Sequence, residues 1–208
     1  MNNYVYIIAG LPELAMNFDG AAFAYAEVRD NIVGLLSEKD QQLVALLEEG
    51  FDDTTLSADF YKKVKESKNG FVRDYFDFDL SLRNMKVAYL AKRLNQDGGK
   101  FVVDLSDPDA IEPEMPQDFE DEKRVQAILD NPDFVQREQL MDQLKWDKAS
   151  ELATFEYFSM NAILAFLVKA KMVQRWAELD KERGEQLFQQ LVGEVRGTFK
   201  GVEYDEKK

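Results

Sequence analysis

The sequence predicts an all-α protein, and three observations indicate this class. Apolar side chains recur at steps of three and four residues over 71–94, a stretch that contains no glycine and no proline. Residues 148–183 also lack both of these helix-breaking residues. Only residues 4–8, YVYII, resemble a strand, and a lone strand has no partner with which to form a sheet.

The first half of the chain shows helix signals in four places. The predicted helices lie at residues 20–36, 37–49, 54–67 and 71–95. Ser37 and Asp40 resemble a capping box, and Gly50 is a suitable end for the helix that they open. The longest helix lies between Asn69-Gly70 and Gly98-Gly99, which are plausible stops.

The second half begins with a segment that predicts no helix. Residues 98–117 contain three of the five prolines, and KFVVD at 100–104 could form a short extended piece. Helices are expected to resume near Asp118. Asn131 and Pro132 then suit the cap and the first position of a further helix. Residues 148–180 predict one long helix with a bend near Ser159.

The D-x-D pattern at Asp77 and Asp79 raises the question of a metal or phosphate site. Each helical residue turns about 100°, so these carboxylates point about 200° apart around a continuous helix. They cannot share one metal ion in that geometry. Asp79 instead lies four residues before Arg83, a spacing that predicts an ion pair within the helix.

An alignment within the chain suggests a duplication. Residues 78–92 match 155–169 without a gap, sharing the pattern F-[DE]-x4-N-x3-A-[YF]-L-x-K. The match predicts two similar helical units, each with one long central helix, joined by an acidic proline-containing loop. The predicted boundaries are unit 1 at 1–100, the loop at 101–117 and unit 2 at 118–208. A single compact domain containing both units is also compatible with this length.

Composition excludes several classes of function. A net charge of −14 does not suit nucleic acid or anionic lipid, which bind cationic surfaces. The chain has no histidine and no cysteine, and GGK at 98–100 lacks the remainder of a phosphate-binding loop. We therefore expect no enzyme activity, cofactor, metal or small-molecule substrate. The N-terminal residues predict neither a signal peptide nor a membrane span, which indicates a soluble, cytoplasmic protein.

Three segments resemble a known family. DLSLRNMKVAYLAKR at 79–93, YVYIIAG at 4–10 and NAILAFLVKAKMVQRW at 161–176 are similar to motifs of the V-type ATPase C (d) subunit, in the same order. The chain departs from that pattern at Gly10, where the family has arginine, and at Val173, where it has an acidic residue. It also has two repeats instead of three. Over most of its length it looks closer to a short bacterial family of uncharacterised proteins associated with V-type ATPase genes.

The resemblance implies an all-helical, non-catalytic subunit that bridges the central stalk and the membrane rotor ring. Its partners would be other V-type ATPase subunits, which would hold it at the periphery of the cytoplasmic membrane. The alternative is a stand-alone helical adaptor or a chaperone-like protein-binding module. The residues predicted for partner contact, or as signatures of the repeat, are Asp79, Arg83, Asn84, Lys92, Arg93, Glu156, Asn161 and Lys169.

For the two asparagines, a second interpretation is a buried or half-buried amide that a neighbouring helix satisfies. For Lys92, Arg93 and Lys169, which lie near the C-terminal ends of helical stretches, the second interpretation is interaction with the helix dipole or with solvent.

Overall fold

The structure is a computed structural model that describes residues 4–16, 24–97, 102, 103, 105 and 121–178. Within these residues it contains helices and no strand, which confirms the all-α prediction. The helices are α1 (Tyr4–Ala9), α2 (Tyr25–Val33), α3 (Glu38–Glu49), α4 (Ala58–Lys65), α5 (Gly70–Arg93), α6 (Glu122–Leu129), α7 (Phe134–Leu152) and α8 (Met160–Glu178).

Several predicted helix ends are confirmed. The Ser37 side chain accepts a hydrogen bond from the Asp40 amide, so it caps α3, and Gly50 ends that helix. Asn69 caps α5 by accepting from the Val72 amide. At 24 residues and 1.5 Å per residue, α5 is about 36 Å long.

Two predictions about local structure are wrong. YVYII at 4–8 lies in helix α1, where Ile7 is buried in the main core. Tertiary packing therefore overrides the strand preference of its β-branched and aromatic residues. Asp133, rather than Asn131, caps α7 by accepting from the Gln136 amide. Asn131 instead accepts a hydrogen bond from the Asp133 amide, in the turn before the helix.

The predicted long helix at 148–180 is also wrong, because residues 153–159 separate α7 from α8. Helix α7 ends at Leu152, and Phe155 has φ 67°, a left-handed conformation that does not belong to a right-handed helix. The internal alignment therefore pairs residues 78–82, inside α5, with residues 155–159, outside any helix. The structure does not confirm two similar units.

Helix α8 lies at the centre of the main apolar core. Its residues Ile163, Leu164 and Leu167 are completely excluded from solvent. They belong to a cluster that also contains buried residues of α1, α2, α3, α4 and α5, so the core joins both sides of the predicted acidic loop. A smaller cluster joins Phe78 and Leu82 of α5 to α6 and α7.

Helices α5 and α7 run antiparallel. Three contacts in sequence establish this direction: Asp79 with Lys145, Lys86 with Glu138, and Tyr89 with Asp130 just before α7. As residue numbers rise along α5, they fall along α7. Consequently, the C-terminal end of α5 and the N-terminal end of α7 lie at the same end of the pair.

Candidate functional site

A buried carboxylate lies near the middle of α5. Asp79 is only 3% exposed, and both of its oxygens have partners. Oδ1 lies 2.7 Å from Nζ of Lys145 on α7. Oδ2 lies 2.6 Å from Nε of Arg83 and accepts a hydrogen bond of 3.0 Å from the Tyr61 hydroxyl of α4. One carboxylate thus joins three helices, and the predicted ion pair with Arg83 is confirmed.

The electrostatics of this group favour the ionised carboxylate. Burial by itself raises the pKa of Asp79, but Lys145 and Arg83 outweigh it and hold that pKa below its ordinary value. Burial and the Asp79 charge raise the pKa of Tyr61, so the phenol stays neutral and donates. Asp77 is exposed on the same helix, as the 200° separation predicts. The geometry is that of a structural ion pair rather than a general base or a shared metal site.

A second buried carboxylate, Asp142 of α7, lies against α8. Its Oδ2 accepts hydrogen bonds of 2.7 Å from Nε1 of Trp176 and lies 2.7 Å from Nη2 of Arg175. Burial raises the pKa of Asp142 above its ordinary value, although Arg175 acts in the opposite direction. The same guanidinium lies 4.0 Å from Glu138, which binds Lys86 of α5 at 2.9 Å. These contacts hold α5, α7 and α8 together.

The two carboxylates border a cavity of about 290 Å³. The charged groups of its wall comprise four acids and four bases: Asp53, Asp79, Asp142, Glu178, Arg83, Lys145, Lys171 and Arg175. Because these charges balance and the buried ones pair with each other, the wall offers no net attraction for an ion. Within the described residues, no cluster of three or more acidic side chains is placed to hold a metal. None of the described helices has the length and apolar character needed to cross a membrane.

Three aromatic side chains protrude from the turn between α7 and α8. Phe155, Tyr157 and Phe158 are 81%, 65% and 63% exposed, and we call them the tip patch. Backbone hydrogen bonds from Glu156 to Ala153 and from Thr154 to Glu151 hold the turn in place. Neighbouring exposed aromatic side chains are a common feature of protein-binding surfaces.

A second apolar surface lies where α5 ends and α7 begins. Leu90, Leu94, Phe134 and Val135 are between 45% and 66% exposed, and we call them the far-end patch. Tyr89 donates a 2.7 Å hydrogen bond to Asp130, which joins the end of α5 to the turn before α7. The four apolar side chains therefore lie at one end of the α5–α7 pair.

The two patches lie at opposite ends of that pair. The Asn69 side chain, at the start of α5, donates a 2.9 Å hydrogen bond to Asn161, which follows the tip patch by three residues. Tyr89, at the other end of α5, is twenty residues further along. At 1.5 Å per residue the patches are roughly 30 Å apart along the helix axis.

A protein-family model matches most of the chain. Residues 1–56 and 48–198 match the family model described as "Protein of unknown function (DUF2764)". The chain belongs to the DUF2764 family. Comparisons with curated proteins and with solved structures give no match.

The eight residues predicted from the sequence of this DUF2764 chain do not converge on one site. Asp79 and Arg83 form the buried pair described above. Asn84 binds both backbone groups of Val103: its side-chain amide group donates to the Val103 carbonyl at 2.8 Å, and its side-chain oxygen accepts from the Val103 amide at 3.0 Å. The Asn84 amide is therefore satisfied, although by the backbone of Val103, in the KFVVD segment, rather than by a neighbouring helix.

The other predicted residues lie in three separate places: beside the far-end patch, at or beside the tip patch, and against Trp146 of α7. Lys92 and Arg93 lie beside the far-end patch, where the Arg93 guanidinium stacks 4.9 Å from the Tyr89 ring centre. Glu156 and Asn161 lie at or beside the tip patch. Lys169 packs 5.1 Å from the Trp146 ring centre, and burial lowers its pKa.

Sequence reasoning on this DUF2764 member missed Lys145, Asp142 and the tip patch. Apart from Arg83, the partners of the two carboxylates lie on other helices, so local spacing could not reveal them. The sequence gives only a weak indication of the tip patch. In a continuous helix Phe155 and Phe158 would share a face, but Tyr157 would lie about 200° from Phe155, so one buried face could not hold all three.

Proposed function

We propose that this chain is a non-catalytic subunit of a V-type rotary ATPase that bridges the central stalk and the membrane rotor ring. The observation that carries the proposal is the position of two exposed apolar patches at opposite ends of one helical pair. A bridging subunit needs a separate binding surface for each partner and a stiff body between them.

The body between the patches is suited to transmit force. Asp79 with Lys145, and Glu138 with Lys86, join α5 to α7 at two levels along their length. The apolar contacts of Phe78 and Leu82 with α6 and α7 lie around and between those levels. A displacement applied at one patch would therefore be carried to the other by packed helices rather than absorbed by a loop.

The identity of the partners comes from the sequence resemblance to the V-type ATPase C (d) subunit. The three similar segments lie in α1, α5 and α8. Contact with the stalk and the ring would place the chain at the periphery of the cytoplasmic membrane without a span of its own. Basic residues near the far-end patch, Lys92 and Arg93, would face acidic partner surfaces there.

The test is affinity purification of the tagged full-length chain from its native membranes, with mass spectrometry of the captured proteins. V-type stalk and ring subunits should be recovered together. The double variant F155N/F158S should lose one set of partners, and L94S/F134S should lose the other. Leu35→Ser, which changes an exposed leucine on neither patch, is the matched control and should retain both.

Recovery of unrelated proteins by the wild type, with the same dependence on the two patches, would overturn the rotor assignment. It would favour the stand-alone adaptor. Recovery of rotor subunits that is insensitive to both double variants would contradict the bridging geometry.

A further inference from the structure

We propose that the segment after α8, residues 185–200, binds the far-end patch of its own chain and has to leave it before a partner can bind there. The competition with a partner rests on the proposed function, whereas the contact within the chain does not. Residues 179–208 lie outside the part of the chain that the structure describes. The proposal therefore uses their sequence and the point at which α8 ends.

Helix α8 ends beside the far-end patch. Lys169 packs against Trp146, whereas Trp176, further along α8, binds Asp142, further back along α7. The two helices are therefore antiparallel, and Glu178 lies about level with the first two turns of α7. Those turns contribute the α7 part of the far-end patch.

The carboxylate of Glu138 joins three helices at this end of the molecule. It binds Lys86 of α5 at 2.9 Å and lies 4.0 Å from Arg175 of α8. The C-terminal parts of α5 and α8 and the start of α7 therefore lie together. The chain that follows α8 thus begins near the exposed side chains of Leu90, Leu94, Phe134 and Val135.

The sequence of residues 185–200, EQLFQQLVGEVRGTFK, predicts an amphipathic helix. At about 100° per residue, its apolar side chains fall within an arc of about 140°, and they are Leu187, Phe188, Leu191, Val192, Val195 and Phe199. The charged residues all fall outside that arc, and they are Glu185, Glu194, Arg196 and Lys200. One face therefore suits an apolar surface and the other suits water.

Such a helix needs a surface to pack against. Isolated helices of about 15 residues are marginal in water even when they are rich in alanine. Gly193 and Gly197 disfavour a helix further, and both lie on its polar face, so the apolar face is uninterrupted. Burial of that face against packed side chains is what would stabilise it.

The segment is close enough and long enough to cover the patch. Lys181, Arg183 and Gly184 directly precede it, a pattern typical of a helix end. A turn at Gly184 would direct the segment across the ends of α5 and α7. A helix over residues 185–200 is about 24 Å long, and packed helices have axes about 8–10 Å apart, so one helix can cross both ends.

The family match includes this segment. The DUF2764 model continues to residue 198, past the end of α8 at Glu178. The apolar face at 187–195 therefore belongs to the part of the chain that is shared with the family.

Cross-linking within the full-length chain tests the contact, since the chain has no cysteine of its own. Lys92→Cys, exposed beside the far-end patch, is combined with Val192→Cys, and the monomer is treated with a short bis-maleimide. A link should form within the chain, and adding L191D/V195D should abolish it. The matched control Q189D/Q190D adds the same charges to the polar face and should leave the link unchanged.

A second pair of cysteines reports on a competing apolar surface. A groove of about 410 Å³ between α1 and α2 has no charged residue in its lining, and Leu35 lines it. Leu35→Cys with Val192→Cys should give no link. A link to position 35 in place of position 92 overturns the proposal, and so does the absence of a link in both pairs.

Capture of partners from native membranes tests the competition. L191D/V195D should increase the recovery of those proteins whose capture is lost in L94S/F134S, and Q189D/Q190D should not. The gain should be about tenfold if the patch is free in about a tenth of the wild-type chains. Proteins captured through the tip patch should be recovered equally by all of these variants.

The outcomes separate this proposal from the proposed function. If the captured proteins are not rotor subunits but show the same gain, the rotor assignment is wrong and the displacement of residues 185–200 is supported. Unchanged recovery in L191D/V195D overturns the competition. So does the absence of any captured protein that depends on the far-end patch.

Discussion

Nζ of Lys145 lies 2.7 Å from Oδ1 of Asp79, although 66 positions separate the two residues in the sequence. This contact joins α5 to α7 where both side chains are shielded from water. Removing one partner of a buried ion pair leaves the other charge uncompensated, which is more costly than the net value of the pair. Removal of the Asp79 carboxylate should therefore destabilise the folded chain strongly.

Replacing Asp79 with asparagine should lower the free energy of unfolding by about 3 kcal/mol, because Lys145 loses its counter-charge and Arg83 keeps only the exposed Asp53. Asp77→Asn is the matched control. It changes the same residue type on the same helix at an exposed position, and should stay within about 0.5 kcal/mol of wild type. Urea denaturation of the three proteins measures the difference. Equal losses in both variants would show that the buried pair contributes nothing specific.

The contribution of Asp79 should depend on pH in a defined direction. Its folded pKa lies below the ordinary value of about 3.9, so its stabilisation is fully present above that unfolded value. The stabilisation is lost as pH falls through the lower folded pKa. The stability difference between wild type and Asp79→Asn should therefore be constant near neutrality and shrink below about pH 4.

Asp142 provides the contrast, because burial raises its folded pKa. Its contribution is fully present below the unfolded pKa and is lost as pH rises through the folded one. Wild type should therefore gain stability relative to Asp142→Asn as pH falls. Denaturation curves across this range would refute the assignment if both differences changed in the same direction.

Gly50 marks a close approach between the end of α3 and the ring of Phe76. A Cβ at position 50 would overlap that ring and lie 2.9 Å from Phe60. Gly50→Ala should cost about 1–3 kcal/mol through overpacking. Gly70→Ala is the control, because its Cβ would meet only Arg73 at 3.8 Å, and it should be neutral or slightly stabilising. Thermal unfolding compares the two, and a similar melting temperature for both would contradict the packing described.

Phe155 combines a left-handed backbone with an 81% exposed ring, so it stabilises the isolated chain little. Phe155→Asn should raise the free energy of unfolding by about 1 kcal/mol, because asparagine adopts this conformation more readily. The same change should weaken binding of the partner that contacts the tip patch. Phe158 is a neighbouring exposed ring without the strained backbone. Phe158→Ala should therefore weaken binding at the tip patch without raising the free energy of unfolding. A loss of stability in Phe155→Asn would mean that the ring packs in the free chain.

Periodicity was sufficient to predict α5 and the pairing of Asp79 with Arg83, since both depend on spacing within one helix. The same reasoning failed at 153–159. No glycine or proline marks that break, and the left-handed residue is a phenylalanine, which sequence rules do not associate with such a turn. The apparent duplication fails for the same reason. Phe78 and Phe155 are identical residues in the alignment, but Phe78 lies in a helix and Phe155 lies in a turn.

Contacts between distant segments are the other feature that the sequence alone does not predict. The repeat pattern predicts Asn84 as a partner-contact or signature residue, whereas its side chain binds the backbone of Val103. The same pattern predicts Asn161, which instead binds the cap of α5. In both cases tertiary packing sets the hydrogen-bond partner, and no local pattern of the sequence specifies it.

We propose that this chain bridges the central stalk of a V-type ATPase and its membrane rotor ring through two apolar ends. The most direct measurement is ATPase activity and ion pumping in membranes from cells in which the gene is deleted. We expect the head to be released from the membrane and coupled pumping to be lost. Expression of the wild-type chain should restore both, whereas F155N/F158S should not. A head that stays attached, with unchanged coupled pumping, would contradict the claim.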